Sequence, residues 1–172
     1  MKKLIKQIFL VSILFYIFTQ NHLIAQSWKE VDSIASEHIK MKNYEKAEKT
    51  YVDGLYSIEK SKGRSSKEYA ILLGNLANFC SARRQFEKAD SLFSISIDIF
   101  KNIKDTLSIE YANVLNNLAD IYLENSFFED AELLYTNALE IKRKTIGNNA
   151  PSCSFTLNQL GYLYNRMGQF KK

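Results

Sequence analysis

The chain has 172 residues, with 23 lysines and arginines against 19 aspartates and glutamates, and 46% of it is hydrophobic. One proline, six glycines and two cysteines exclude a collagen-like, low-complexity or disulfide-dense chain. Residues 1–25 carry three lysines and no acidic side chain, so the rest holds 20 basic against 19 acidic groups and offers no nucleic-acid or membrane-surface footprint.

The first segment reads as a targeting signal. Lys2, Lys3 and Lys6 precede the apolar run Ile8 to Phe18, and Leu23-Ile24-Ala25 supplies a cleavage site before Gln26. The run is shorter than the roughly 20 apolar residues needed to span a bilayer, which disfavours the alternative of an uncleaved anchor. No cysteine follows it, so a lipoprotein is not expected. The expected product is a chain of residues 26–172 exported across the inner membrane, periplasmic or secreted, with no membrane insertion after cleavage.

From Ser27 onward the apolar spacing predicts helices over Ser27 to Lys42, Tyr44 to Lys60, Ser66 to Arg83, Phe86 to Ile103, Leu107 to Asn125, Phe127 to Thr145 and Pro151 to Met167, and no strand. In one hairpin, Leu115, Leu118, Ala119 and Tyr122 form one helical face, and Phe128, Ala131, Leu134, Tyr135 and Ala138 form the other. The break at Glu124 to Ser126 is short enough to fold the two helices back on each other. Ser61-Lys62-Gly63-Arg64-Ser65 and Gly147-Asn148-Asn149-Ala150-Pro151 separate hairpins, and Pro151 stands near a helix start where its missing N–H does no harm. Lys104-Asp105-Thr106 is a weak boundary, so the flanking helices are expected to run nearly together.

The hairpins are copies. Shifted by 42 residues, Tyr44, Phe86, Phe128 and Phe170 align, as do Ala47, Ala89 and Ala131, and Tyr51, Phe93 and Tyr135. Such a period is the mark of a stacked repeat array. The approximate repeats are 27–65, 66–105, 106–149 and a partial 150–172. Ala77, Ala119 and Gly161 are expected to keep bulk away from the crossing of the first (A) and second (B) helix of each repeat, with Phe86, Phe128 or Phe170 covering it.

Little in the chain points to chemistry. His22 leaves with the signal, and His38 shares a core-facing column with Cys80, Tyr122 and Tyr164 and is expected to be structural. No Gly-x-Ser-x-Gly, phosphate-cradling glycine loop or His-Glu-x-x-His is present. Glu129-Asp130 at the start of a helix suits the helix dipole without catalysis. Cys80 and Cys153 fall on first helices of different repeats, and packed helices about 8 to 10 Å apart exceed a disulfide's reach; two free, buried thiols are expected. No enzyme activity, metal, cofactor or small-molecule substrate is expected.

The spacings Leu157-x-x-Leu160-Gly161-x-x-Tyr164 and Leu115-x-x-Leu118-Ala119-x-x-Tyr122, with Ala89-x-x-x-Phe93, Ala131-x-x-x-Tyr135 and Ala47-x-x-x-Tyr51, resemble the tetratricopeptide (TPR) repeat family in a lengthened, 42-residue form. Leu115-Asn116-Asn117-Leu118-Ala119, Ala138-Leu139-Glu140-Ile141-Lys142 and the Gly147 linker resemble kinesin light chain-type repeats, although Ala150 stands where those usually have histidine. The resemblance implies an all-α, right-handed superhelical solenoid of about three and a half repeats, acting as a scaffold that binds a protein or peptide in the concave groove of its A helices. Carried over by position, the groove residues are Ile71, Gly74 and Asn78, then Asn113, Asn116 and Asp120, then Phe155, Asn158, Tyr162 and Arg166. An asparagine ladder of Asn78, Asn116 and Asn158 would hold a peptide backbone, Phe155 and Tyr162 apolar side chains, and Arg166 a carboxylate. A carboxylate clamp of the chaperone-binding kind is disfavoured for want of basic residues, and Trp28 is expected to cover the open end of the first hairpin. The fourth repeat breaks off at Phe170-Lys171-Lys172. Either its A helix caps the array, or these repeats are the N-terminal sensory or regulatory part of a longer signalling protein or caspase-like peptidase; the second is expected, because Phe170 otherwise has no helix B.

Overall fold

The computed structural model describes residues 27–170, with side chains to Gly168, so the signal segment and the side chain of Phe170 lie outside the described residues. Seven helices and no strand make up the described residues: α1 Trp28–Lys40, α2 Tyr44–Lys62, α3 Lys67–Ala82, α4 Phe86–Asn102, α5 Ile109–Glu124, α6 Phe128–Ile146 and α7 Pro151–Phe170. This is an all-α helical repeat fold. The described residues divide into two compact units, one ending at Arg64 and the other beginning at Ser65.

In the first unit, α1 and α2 form one hairpin. Ser27 caps α1 through a capping box, its hydroxyl accepting from the Glu30 amide at 3.3 Å while the Glu30 carboxylate accepts from the Ser27 amide at 3.0 Å. Val31 and Ala35 of α1 and Ala47, Tyr51 and Ile58 of α2 are buried, and the Tyr51 hydroxyl donates to Asp32 at 3.0 Å. Burial, followed by the Asp32 charge, pushes the Tyr51 phenol well above its usual range. Trp28 is half-buried, with the Lys29 ammonium 5.5 Å from its ring centroid. His38 is half-buried, and its Nδ1 has no hydrogen-bond partner.

In the second unit, α3 pairs with α4 and α5 with α6, and α7 packs on α6. Ser66 and Ser108, 42 residues apart, cap α3 and α5 through the amides of Tyr69 and Tyr111, each at 3.3 Å. Ala119, Leu123, Ala131, Tyr135, Cys153 and Leu163 lie in one buried cluster. Both cysteines are free and buried, and Cys153 Sγ donates to the Gly147 carbonyl at 3.4 Å.

The A helices α1, α3 and α5 end in the same way. The amides of Asn43, Gln85 and Phe127 donate to the carbonyls of His38, Cys80 and Tyr122 at 2.8, 3.0 and 2.8 Å, and the residue in between is left-handed, with φ of 58° at Lys42, 60° at Arg84 and 65° at Ser126. This six-to-one closure takes up carbonyls the helix leaves unbonded and turns the chain straight into helix B, which opens with Tyr44, Phe86 or Phe128.

One expectation is corrected. Helices α4 and α5 do not run together: the Asp105 amide closes α4 on the Phe100 carbonyl at 3.0 Å, Lys104 is left-handed at φ 58°, and Ser108 caps the next helix. Ala77 and Ala119 are fully buried as expected. The crossing expected at Gly161 lies outside the described residues, which hold no helix B for the fourth repeat. A further close approach is at Gly74, where an added Cβ would lie 2.9 Å from Val114 Cγ2. Glycine is therefore suited to the place where one A helix meets the next.

Candidate functional site

Neighbouring A helices of the second unit touch through a repeated pair of columns. Gly74 of α3 faces Val114 of α5, and Asn116 of α5, 42 residues on from Gly74, faces Thr156 of α7. The first contact is steric and the second polar. Thr156 Oγ1 donates to Asn116 Oδ1 at 2.6 Å, and Lys142 Nζ reaches from α6 to Thr156 Oγ1 at 2.9 Å and Asn116 Oδ1 at 3.3 Å. Asn116, Lys142 and Thr156 are each at most 2% exposed. Burial lowers the Lys142 ammonium from its usual range, opposed by its electrostatic interactions with Cys153 and Asp120.

Asn116 is thus a stacking residue, its carbonyl committed to internal donors, and it does not stand in a solvent-facing ladder. Ile71 and Gly74 are buried too. Asn158, in the same column as Gly74 and Asn116, is exposed on α7.

Asp120 begins the open part of the surface. It is half-buried, and its Oδ1 accepts from Gln159 Nε2 of α7 at 2.7 Å and from the Tyr135 hydroxyl of α6. Burial raises its carboxyl above the usual range, against the two hydrogen bonds and the Lys142 charge. The same arrangement, burial first and then the Asp120 hydrogen bond, drives the Tyr135 phenol far above its usual range. Asp120 is therefore fixed in position before any ligand arrives.

On α7, Phe155, Asn158, Tyr162 and Arg166 follow one another at helical spacing along a single face. Phe155 is 52% and Tyr162 51% exposed. The Arg166 guanidinium carbon lies 5.6 Å from the Phe128 ring centroid and 5.9 Å from that of Tyr162, and Nη1 donates to the Tyr162 hydroxyl at 3.3 Å. Asn113, one repeat before Phe155, is exposed on α5, and Asn78 is exposed near the end of α3. The structure brings Asp120 against α7 through Gln159 and joins Tyr162 to Arg166. It does not tie Asn78 or Asn113 to either group.

Sequence reasoning missed Lys142, Thr156 and Gln159. Lys142 sits among apolar neighbours in Ala138-Leu139-Glu140-Ile141-Lys142, and the apolar stripe gives no reason to turn a lysine inward. Gln159 is one step off the A-helix motif. Among the described residues, no helix is long and apolar enough to cross a membrane, and no group of three or more metal-ligating side chains occurs.

Residues 110–172 match the tetratricopeptide repeat family model. Comparison with curated proteins finds no match. Among solved structures, BtubC (BKLC) from P. vanneervenii is similar at 24% identity and a TM-score of 0.71, over 84% of this chain and 57% of that one. The nearly identical TPR-like repeats of a Podosopora anserina putative kinesin light chain superpose with a TM-score of 0.73 at 17% identity, over 83% of this chain and 68% of that one, and a point variant of those repeats does so at 0.72. The chain spans a little over half the length of the first of these proteins. Tetratricopeptide repeats are in general protein–protein interaction modules.

Proposed function

We propose that this protein is an exported interaction module that binds an extended polypeptide along the exposed A-helix face of α5 and α7. The observation that carries the reading is the α7 face: Phe155 and Tyr162 stand about half exposed, Tyr162 lies beside a guanidinium held over its ring and that of Phe128, and Asp120 is fixed at the edge of the face by two donors. Exposed aromatics that do not collapse into the core are the usual anchors of a protein interface. Asn158 and Asn113 add side chains that both donate and accept, suited to peptide backbone. Arg166 suits a carboxylate on the partner, since stacking leaves guanidinium N–H groups free at the ring edge.

Export rests on the basic, apolar and small-residue sequence of residues 1–25. Intact mass of the protein from its source envelope tests it: a chain starting at Gln26 supports processing, and a retained Met1 overturns it. A mass well beyond Lys172 would make these repeats the input of a larger protein.

The groove is tested by selecting peptides against the purified protein from a random library and measuring affinity by fluorescence anisotropy. Tyr162→Ala and Arg166→Ala should each weaken a selected peptide about tenfold, equivalent to about 1.4 kcal/mol, while Leu133→Ala, at an exposed position of α6, should not. Peptides sensitive to Leu133 and indifferent to Tyr162 would place binding elsewhere.

A further inference from the structure

A second concave surface lies away from the residues discussed above. It is a cleft of about 430 Å³ between the start of α4 and the corner joining α5 to α6, within the roughly 300–1,000 Å³ of typical ligand sites. Its walls include Phe86, Tyr122 and Phe127, and its carboxylates are Glu87, Asp90 and Asp130. The Tyr122 and Phe127 rings stand 6.1 Å apart at 77°, forming an aromatic corner. No lysine or arginine lines the cleft; Arg84, whose guanidinium carbon is 5.5 Å from the Phe86 ring centroid, lies outside the lining.

Two observations point to what this cleft lacks. First, Asp90 Oδ1 is buried and has no hydrogen-bond partner, a condition that costs free energy unless a donor arrives. Second, the cleft supplies no cation for its carboxylates. The Tyr122 hydroxyl is hydrogen-bonded to Asp90, as Tyr164, 42 residues on, donates to Glu132 at 2.6 Å, and Arg84 lies over Phe86 as Arg166 lies over Phe128. The two repeats differ at the place of Arg166, which one repeat earlier is taken by Glu124. Glu87, Asp90 and Asp130 thus line the cleft with no basic side chain among them, and Asp90 Oδ1 is left over after the tyrosine bond.

We propose that this cleft binds the side chain of an arginine supplied by a partner polypeptide, stacked in the corner of Tyr122 and Phe127 and hydrogen-bonded to Asp90, with Glu87 and Asp130 completing its charge. Aromatic faces attract a guanidinium through the ring quadrupole, and a carboxylate accepts its planar fork. Burial, then the Asp90 charge and its hydrogen bond, with the Asp130 charge behind them, raise the Tyr122 phenol, in keeping with the acidic surroundings of the cleft.

The test is an NMR titration of the full chain with acetyl-Gly-Arg-Gly-amide and with its citrulline analogue, which has the same shape and no charge. Saturable amide shifts at Tyr122 and Phe127 are expected with the arginine peptide, with citrulline at least about fivefold weaker. Asp90→Asn with Glu87→Gln should weaken the arginine peptide about tenfold. Glu87→Gln alone, at an exposed position, should weaken it in the same direction and guards against a folding defect in the double variant. Equal binding of the two peptides, or shifts confined to Phe155, Tyr162 and Arg166, would overturn the proposal; the latter result would leave the α7 face intact as a binding surface.

Discussion

Replacing Lys142 by methionine should stabilise the second unit. The ammonium is 2% exposed, and both of its hydrogen-bond partners, Thr156 Oγ1 and Asn116 Oδ1, are neutral. Removing an ion from water costs several kcal/mol after relaxation. Two hydrogen bonds from a charged donor return about 1.5–3 kcal/mol each, so the buried charge roughly breaks even. Methionine keeps a similar unbranched bulk and removes the desolvation cost. It also leaves no acceptor stranded, because Asn116 Oδ1 keeps the Thr156 hydroxyl at 2.6 Å. The expected gain is about 1 kcal/mol near neutral pH, read as a rise in Tm of about 2–4 °C. The pH dependence is the sharper reading. With its folded pKa lowered, Lys142 loses its proton in the folded state before it does in the unfolded one. Wild-type stability therefore gains from this group as pH rises from the lowered folded value towards the unfolded value of 10.5. Urea denaturation of both proteins at pH 7 and pH 10 should show the advantage of Lys142→Met shrinking at the higher pH, the tyrosines being common to both. A variant less stable than wild type at pH 7, or a difference that grows with pH, would refute the reasoning.

Gly74→Ala should cost about 1 kcal/mol, the overlap with Val114 Cγ2 at 2.9 Å outweighing the better helix propensity of alanine. In the background of Val114→Ala that cost should disappear, and additive effects in the double-mutant cycle would show that the helices separate freely there. Tyr135→Phe should lower stability by about 1–2 kcal/mol by chemical denaturation, because Asp120 keeps only the Gln159 donor at 2.7 Å. No change would mean the phenol and the carboxylate do not share a bond in solution. Phe155→Ala, at a 52% exposed position, should leave Tm within about 1 °C of wild type while weakening selected peptides, since exposed truncations remain within about 0.5 kcal/mol; a large fall in Tm would show that the ring belongs to the core.

The helices were legible because two signals coincide. Apolar spacing fixes each face, and the 42-residue offset checks it against other copies, so the first residues of α2 and α4 are read correctly at Tyr44 and Phe86, and that of α6 to within one residue, Phe127 against the observed Phe128. The junction after α4 was not legible, because Lys104-Asp105-Thr106 has none of the glycine that marks Gly63 and Gly147, yet Lys104 adopts the left-handed turn with an ordinary side chain. The candidate face was half legible. Phe155, Asn158 and Tyr162 are exposed as positional transfer implies, but the same transfer put Asn116 in solvent. The Gly74 column faces the next A helix, and whether its residue is exposed depends on a neighbour 40 residues away, which a single-helix pattern does not encode.

The left-handed residues Lys42, Arg84 and Ser126 bear on how such a chain can change length. Each stands between a helix whose last carbonyls are already claimed and a helix whose first side chain is an aromatic. A single codon inserted between Ser126 and Phe128 would advance α6 by roughly 100° about its axis, carrying Phe128, Ala131 and Tyr135 off the face they share. A single deletion would do the same in the opposite sense. Heritable changes of length at these corners are therefore expected to be purged, and the gene lengthens or shortens by the whole 42-codon unit or at the segments between hairpins, around Gly63 and Gly147.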